Sequence, residues 1–121
     1  MVRISELENY AKENNIPIMM KDGIEFLCNY IKENNIKNIL EIGTAIGYSS
    51  IMMALVDKDI KITTIERDEK RYKEALKNIE KFNLENQITP ILKDAFEVEL
   101  KEEFDLIFID AAKAQSIKFF E

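Results

Sequence analysis

The chain contains no histidine. That absence excludes a Ser-His-Asp triad, a Cys-His pair and any zinc site that depends on imidazole. A general base must then be Lys, Asp, Glu or Tyr. Cysteine is nearly missing too: Cys28 stands alone, so no internal disulfide can form. Its helical spacing with Ile24, Leu27 and Ile31 marks it as a small core hydrophobe. No apolar run approaches the roughly 20 residues of a membrane span. No basic-then-apolar leader marks a secretory signal, so a cytoplasmic protein is expected. Excess positive charge is also lacking. Seventeen Lys and Arg stand against 23 Asp and Glu, a net charge of −6. Broad non-specific binding to nucleic acid is thereby disfavoured, while a specific RNA on a local patch stays open. No internal repeat, low-complexity segment or Gly/Ser-rich linker is expected.

What is present suits a single domain with a real core. The 121 residues are 46% hydrophobic and 33% charged, an ordinary globular balance. Residues 4 to 14 read as a helix, with Ile4, Leu7 and Ala11 on one face and Ser5 and Glu8 at capping-box spacing. Residues 16–19 are expected to be extended, since Pro17 disfavours helix at the residue before it. A second helix is expected over 21–34. Strands are expected over 37–42, 60–66, 87–93 and 104–110. Helices are expected over 47–56 and from the N-cap Asp68 to about Phe82, the latter buried along Tyr72, Ala75, Leu76 and Ile79. Residues 97–103 read as a solvated turn, and another helix starts near Lys113.

This alternation argues an α/β fold: a Rossmann-like, doubly wound parallel sheet in the order 3-2-1-4 with helices on both faces. Residues 1–36 form a helical lead-in and 37–121 the βα units. The continuously apolar Leu106-Ile107-Phe108-Ile109 reads as a strand buried on both faces. In that order its outer edge is bare. The expectation is therefore a chain truncated before its later strands, or one whose edge a partner covers.

Four constellations could carry chemistry. Glu41-Ile42-Gly43-Thr44-Ala45-Ile46-Gly47 joins a strand to a helix, where glycines admit a close ligand. It is not the G-x-G-x-x-G fingerprint. On the glycines alone, an ordinary turn and a ligand turn weigh equally. Glu66, at the end of the second strand, could accept from both hydroxyls of a ribose. Asp94-Ala95 follows the third strand; Asp94 could meet an adenine amino group or cap a turn. Asp110-Ala111-Ala112-Lys113 sits at the switch point of the sheet. There Asp110 could ligate a divalent cation and Lys113 could act as a base, or the two could be a cap and an exposed lysine.

Taken together, Glu41 to Ser49, Thr64 to Asp68 and Asp105 to Lys113 resemble the class I S-adenosylmethionine-dependent O-methyltransferases. The nearest group is the cation-dependent one of catechol and caffeoyl-CoA O-methyltransferases, whose bacterial members include a tRNA 5-hydroxyuridine methyltransferase. The resemblance implies a seven-stranded sheet of order 3-2-1-4-5-7-6. It implies that Glu41, Gly43, Thr44, Ala45, Gly47 and Ser49 form the turn around the cofactor's methionine end. Glu66, with Arg67 beside it, matches the ribose acid, and Asp94-Ala95 the adenine contact. Asp110 matches the first metal ligand, for Mg²⁺ above all, and touches the cofactor. Lys113 and Asp110 match the catalytic pair, and Met19 falls near a substrate and cofactor contact. Two further metal ligands, an Asp-Asn pair on a fifth strand, would follow residue 121. The implied partners are a small hydroxylated substrate or tRNA and a second copy in a homodimer, with no membrane. Two rival expectations are an inactive fragment that pairs through its strand edge and a dehydrogenase-type nucleotide binder. The Gly43/Gly47 spacing speaks against the second.

Overall fold

The structure is a computed structural model, which describes residues 3–16, 18–94 and 103–109. Its elements are α1 (Ile4–Glu13), α2 (Lys21–Glu33), β1 (Asn38–Ile42), α3 (Tyr48–Ala54), β2 (Lys61–Glu66), α4 (Glu69–Lys81), β3 (Ile88–Leu92) and β4 (Leu106–Ile109). The strands are all parallel, in the expected order β3-β2-β1-β4. The expected solvated turn and the helix from Lys113 fall largely or wholly outside the described residues.

Register explains where the core lies. Ile88, Ile62, Ile39 and Leu106 form one row across the sheet. The first three are buried and pack with Ile24 and Ile31 of α2, Ile51 and Met53 of α3, and Ile79 of α4. Two residues further along each strand, on the same face, the row becomes Pro90, Thr64, Glu41 and Phe108. Thr64 and Glu41 are fully buried. The apolar core thus gives way to buried polar groups at the carboxyl ends of β1 and β2. Among the described strands β4 is an edge, and Ile107 is 50% exposed.

Three local expectations change. Ser5 does not cap α1; Arg3 is the N-cap and makes no side-chain cap bond. Glu8 instead accepts from the Tyr48 hydroxyl at 2.7 Å. A long-range partner has displaced the local capping box. Leu76 is 39% exposed, and the buried residues of α4 are Ala75 and Ile79. The helix meets its neighbours along those two positions, four apart, and Leu76 turns to the rim. An internal repeat also exists: Asn-Tyr-x-Lys-Glu-Asn-Asn-Ile occurs at 9–16 and again at 29–36. Both copies end a helix in the same way. Asn15 and Asn35 take φ of 54° and 52°. Ile16 N–H then donates to the Ala11 carbonyl at 2.8 Å, and Ile36 N–H to that of Ile31 at 3.0 Å. These are six-to-one closures that satisfy the last carbonyls of a helix.

Side chains also tie the strand starts together. Asp105 accepts from the Lys37 and Asn38 backbone N–H groups at 2.9 and 3.0 Å. Those two bonds hold its carboxyl below the usual range. Lys37 Nζ donates to Asp57 at 2.5 Å, which likewise lowers the Asp57 carboxyl. A carboxyl lowered on folding binds fewer protons in the native state than in the unfolded one. Its stabilisation is full above the unfolded value, near pH 4, and fades as pH falls through the folded value. Urea midpoints should therefore drop as pH falls below about 4. Asp105→Asn should show a flatter dependence over the same window; an identical slope would count against this assignment.

Candidate functional site

At the carboxyl end of β1 the chain must turn sharply without losing its tie to the sheet. Gly43 N–H donates to the Ile65 carbonyl at 2.9 Å, which extends the pairing with β2 by one bond. The turn then places three residues at positive φ: Gly43 at 95°, Ala45 at 51° and Gly47 at 91°. Gly47 N–H closes back on the Thr44 carbonyl at 2.9 Å. Gly47 is the N-cap residue of α3. A Cβ at Gly47 would lie 3.6 Å from Ala75, an ordinary contact. Conformation rather than space requires glycine there. Gly47→Ala should cost about 1–2 kcal/mol from the left-handed backbone alone. Urea unfolding checks this, and a neutral result would show that the turn relaxes.

Glu66 ends β2 and is 7% exposed. Its Oε1 accepts from the Ala45 N–H at 2.8 Å and its Oε2 from the Asp68 N–H at 3.0 Å. The turn after β1 and the acid after β2 are therefore in direct contact. Each carboxylate oxygen has more than one acceptor direction, so both can take a further hydroxyl donor. Lys93 N–H donates to the Glu66 carbonyl at 2.9 Å and brings the end of β3 alongside. Asp94 follows, half-buried, and Arg67 beside Glu66 is exposed.

Beneath the turn lies a second carboxylate. Glu41 is fully buried and accepts from the hydroxyls of Ser49 and Ser50 at the start of α3. Thr64 Oγ1 donates to it at 2.7 Å. Thr44 and Thr64 hydroxyls lie 2.6 Å apart. Since Thr64 gives its proton to Glu41, Thr44 must donate to Thr64. Thr44, Thr64, Glu41, Ser49 and Ser50 thus form one hydrogen-bonded network. No buried side-chain nitrogen or oxygen among the described residues lacks a partner.

Of the residues read from the sequence, Glu41, Gly43, Thr44, Ala45, Gly47, Ser49 and Glu66 come together here. Glu41 and Ser49 meet each other below the turn. Met19 is half-buried and packs against the core. Ala95, Asp110 and Lys113 lie outside the described residues. Among those described, no group of three acidic or Cys side chains could hold a metal. Sequence reasoning missed Ser50, Thr64 and Asn78. Asn78 Nδ2 on α4 donates to the Ile46 carbonyl in the turn at 2.8 Å. A signal existed for Thr64: it stands two residues before Glu66, on the same face of the strand.

Two tyrosines dock the lead-in helix beside this site. Tyr48, the first residue of α3, donates to Glu8 of α1. Burial first, then Glu8, pushes its phenol well above the usual range. Tyr10 of α1 donates to Glu74 of α4 at 2.5 Å. Cys28 packs against the core and donates to the Met52 carbonyl at 3.6 Å; burial raises its thiol.

Comparison with known proteins adds to this geometry. The O-methyltransferase family model matches residues 2–121. The chain is 40% identical over 92 residues to a catechol O-methyltransferase of Niastella koreensis, covering 70% of this chain and 42% of that protein. A Staphylococcus aureus protein provisionally assigned as a caffeoyl-CoA O-methyltransferase has a crystal structure that matches with a TM-score of 0.89 at 44% identity. That match covers 99% of this chain and 59% of the other. The crystal structure of a Bacillus cereus O-methyltransferase in complex with S-adenosylhomocysteine matches with a TM-score of 0.82 at 32% identity, over 97% and 57% of the two chains. The chain spans about half the length of these relatives.

Proposed function

Because the chain belongs to the O-methyltransferase family, we propose that the whole protein moves a methyl group from S-adenosylmethionine to a hydroxyl oxygen. The acceptor is a small hydroxylated molecule or a tRNA hydroxyuridine. The observation that carries this reading is the hydrogen bond from Ala45 N–H to the Glu66 carboxylate. It sets a carboxylate suited to a ribose against a turn suited to the methionine end of the same molecule. The S-adenosylhomocysteine complex of the Bacillus cereus relative supports that choice of ligand.

In this reading Glu66 takes the two ribose hydroxyls, Asp94 and Ala95 meet the adenine, and Arg67 flanks the ribose side. Gly43, Thr44, Ala45, Gly47 and Ser49 hold the methionine end, with Glu41 beneath them. The cofactor supplies a methyl group on a sulfonium, already activated toward an oxygen nucleophile. Alignment of the acceptor oxygen with that methyl is the main demand on the protein. Lys113 accepts the acceptor's hydroxyl proton. Asp110 would lend one oxygen to a divalent cation such as Mg²⁺, which would stabilise the acceptor oxyanion. The roles of Asp110 and Lys113 rest on the family resemblance. No described helix is long and apolar enough to cross a membrane, and we assign the protein to the cytoplasm as a homodimer.

The test is transfer of label from S-adenosylmethionine by the full-length protein. Catechols and undermethylated tRNA are offered in parallel, with Mg²⁺ or Mn²⁺. Label in one acceptor is expected. Label in neither, or tighter calorimetric binding of NAD than of S-adenosylhomocysteine, would overturn the reading.

A further inference from the structure

We propose that Asn78 is a positioning residue of the cofactor turn, holding the Ile46–Gly47 peptide in place from α4. The inference rests on the functional reading above and deepens it. Three of five consecutive residues in the turn sit at positive φ, and one of them, Ala45, is not glycine. An alanine in that region is disfavoured unless its surroundings hold it. Two ties come from the site itself: Glu66 on the Ala45 N–H and the Thr44 carbonyl on the Gly47 N–H. The third comes from outside. Asn78 Nδ2 donates to the Ile46 carbonyl at 2.8 Å.

Its place in the sequence supports a role beyond helix formation. Asparagine is a poor residue for the middle of a helix, since its amide competes for backbone partners. Here the amide bonds not to its own helix but to a residue 32 positions earlier. One turn of α4 before it, Ala75 lies where a Cβ on Gly47 would touch it at 3.6 Å. The helix therefore meets the turn at two points. The same helix begins three residues after Glu66. One rigid element thus orients both the turn and the chain that leaves the ribose acid. Asn78 also lines a groove with Leu7 and Tyr10 of α1, and the role proposed for it is to support the turn from α4.

The decisive variant is Asn78→Asp in the full-length protein. It keeps the shape, removes the N–H donor and sets a negative oxygen against a carbonyl. S-adenosylhomocysteine affinity should fall about tenfold, the scale of one hydrogen bond lost from a preorganised site. KM for S-adenosylmethionine should rise while KM for the acceptor stays put. Amide exchange at Gly47 and Tyr48 should quicken. Asn78→Gln, which keeps a donor on a longer stem, should recover part of the affinity. A lower melting temperature with unchanged affinity would make Asn78 merely structural and overturn the proposal. So would unchanged exchange at Gly47 and Tyr48. If the unsubstituted protein bound no S-adenosylhomocysteine, the functional reading would fall alone. The exchange measurement would still decide whether Asn78 holds the turn.

Discussion

Glu66→Ala should weaken S-adenosylhomocysteine binding by about 3 kcal/mol or more, since each of the two ribose bonds proposed for this carboxylate would be worth about 1.5–3 kcal/mol. That is roughly a hundredfold in affinity. The same substitution should also destabilise the fold, because Glu66 is an acceptor for the Ala45 and Asp68 N–H groups. Asp68 is an exposed residue, so its N–H can turn to water. Ala45 is 3% exposed, so its N–H would lose its partner, at about 1–3 kcal/mol. Glu66→Gln separates the two effects. Its amide offers one acceptor oxygen, and its NH₂ would face a backbone N–H. It should fold better than the alanine variant and still bind the cofactor poorly. Calorimetry with S-adenosylhomocysteine, paired with urea unfolding, reads both. Full affinity in Glu66→Ala would show that the carboxylate serves the turn and not a ribose.

Glu41→Ala should be the most destabilising single change in the described part of the protein. Glu41 is fully buried and collects the hydroxyls of Ser49, Ser50 and Thr64. Its removal leaves those donors without an acceptor and opens a cavity under α3. Each buried donor left without its acceptor costs about 1–3 kcal/mol. A domain with a total stability of about 5–15 kcal/mol would be left marginal. Glu41→Gln should be much milder, at about 1–2 kcal/mol. The serine hydroxyls can rotate to accept from the new NH₂, and the volume is kept. Thermal unfolding of the two variants tests this order. Equal losses would mean that charge, and not hydrogen-bond capacity, holds the network.

These two carboxylates show how much of the site the sequence could reveal. Glu66 stood out because an acid ends a β-branched strand about twenty residues after a Gly-containing turn. Its approach to the Ala45 N–H was not visible, since that contact joins residues 21 apart. Glu41 read as part of the ligand turn. Register explains its burial: it sits opposite Thr64 on β2 and in line with Ile39 on the core face. Asn78 gave only a weak local sign: an asparagine inside a helix is disfavoured, but its partner 32 residues earlier emerges only in the fold. The capping box at Ser5 and Glu8 failed for a related reason. A short local motif lost to the Tyr48 hydroxyl, which comes from 40 residues away.

The helix spans, the strands and the place of the turn were determined by the sequence itself. They depend on hydrophobic period, β-branched runs and glycines, which act over a few neighbouring residues, and the parallel order followed from the alternation of strand and helix. Which polar atoms meet was decided only by the tertiary structure. Those contacts depend on how strands pair in register and how α1, α3 and α4 settle against them. The side chains that hold the turn lie on β1, β2, α3 and α4. Only the packed arrangement brings such distant positions within a hydrogen bond's reach.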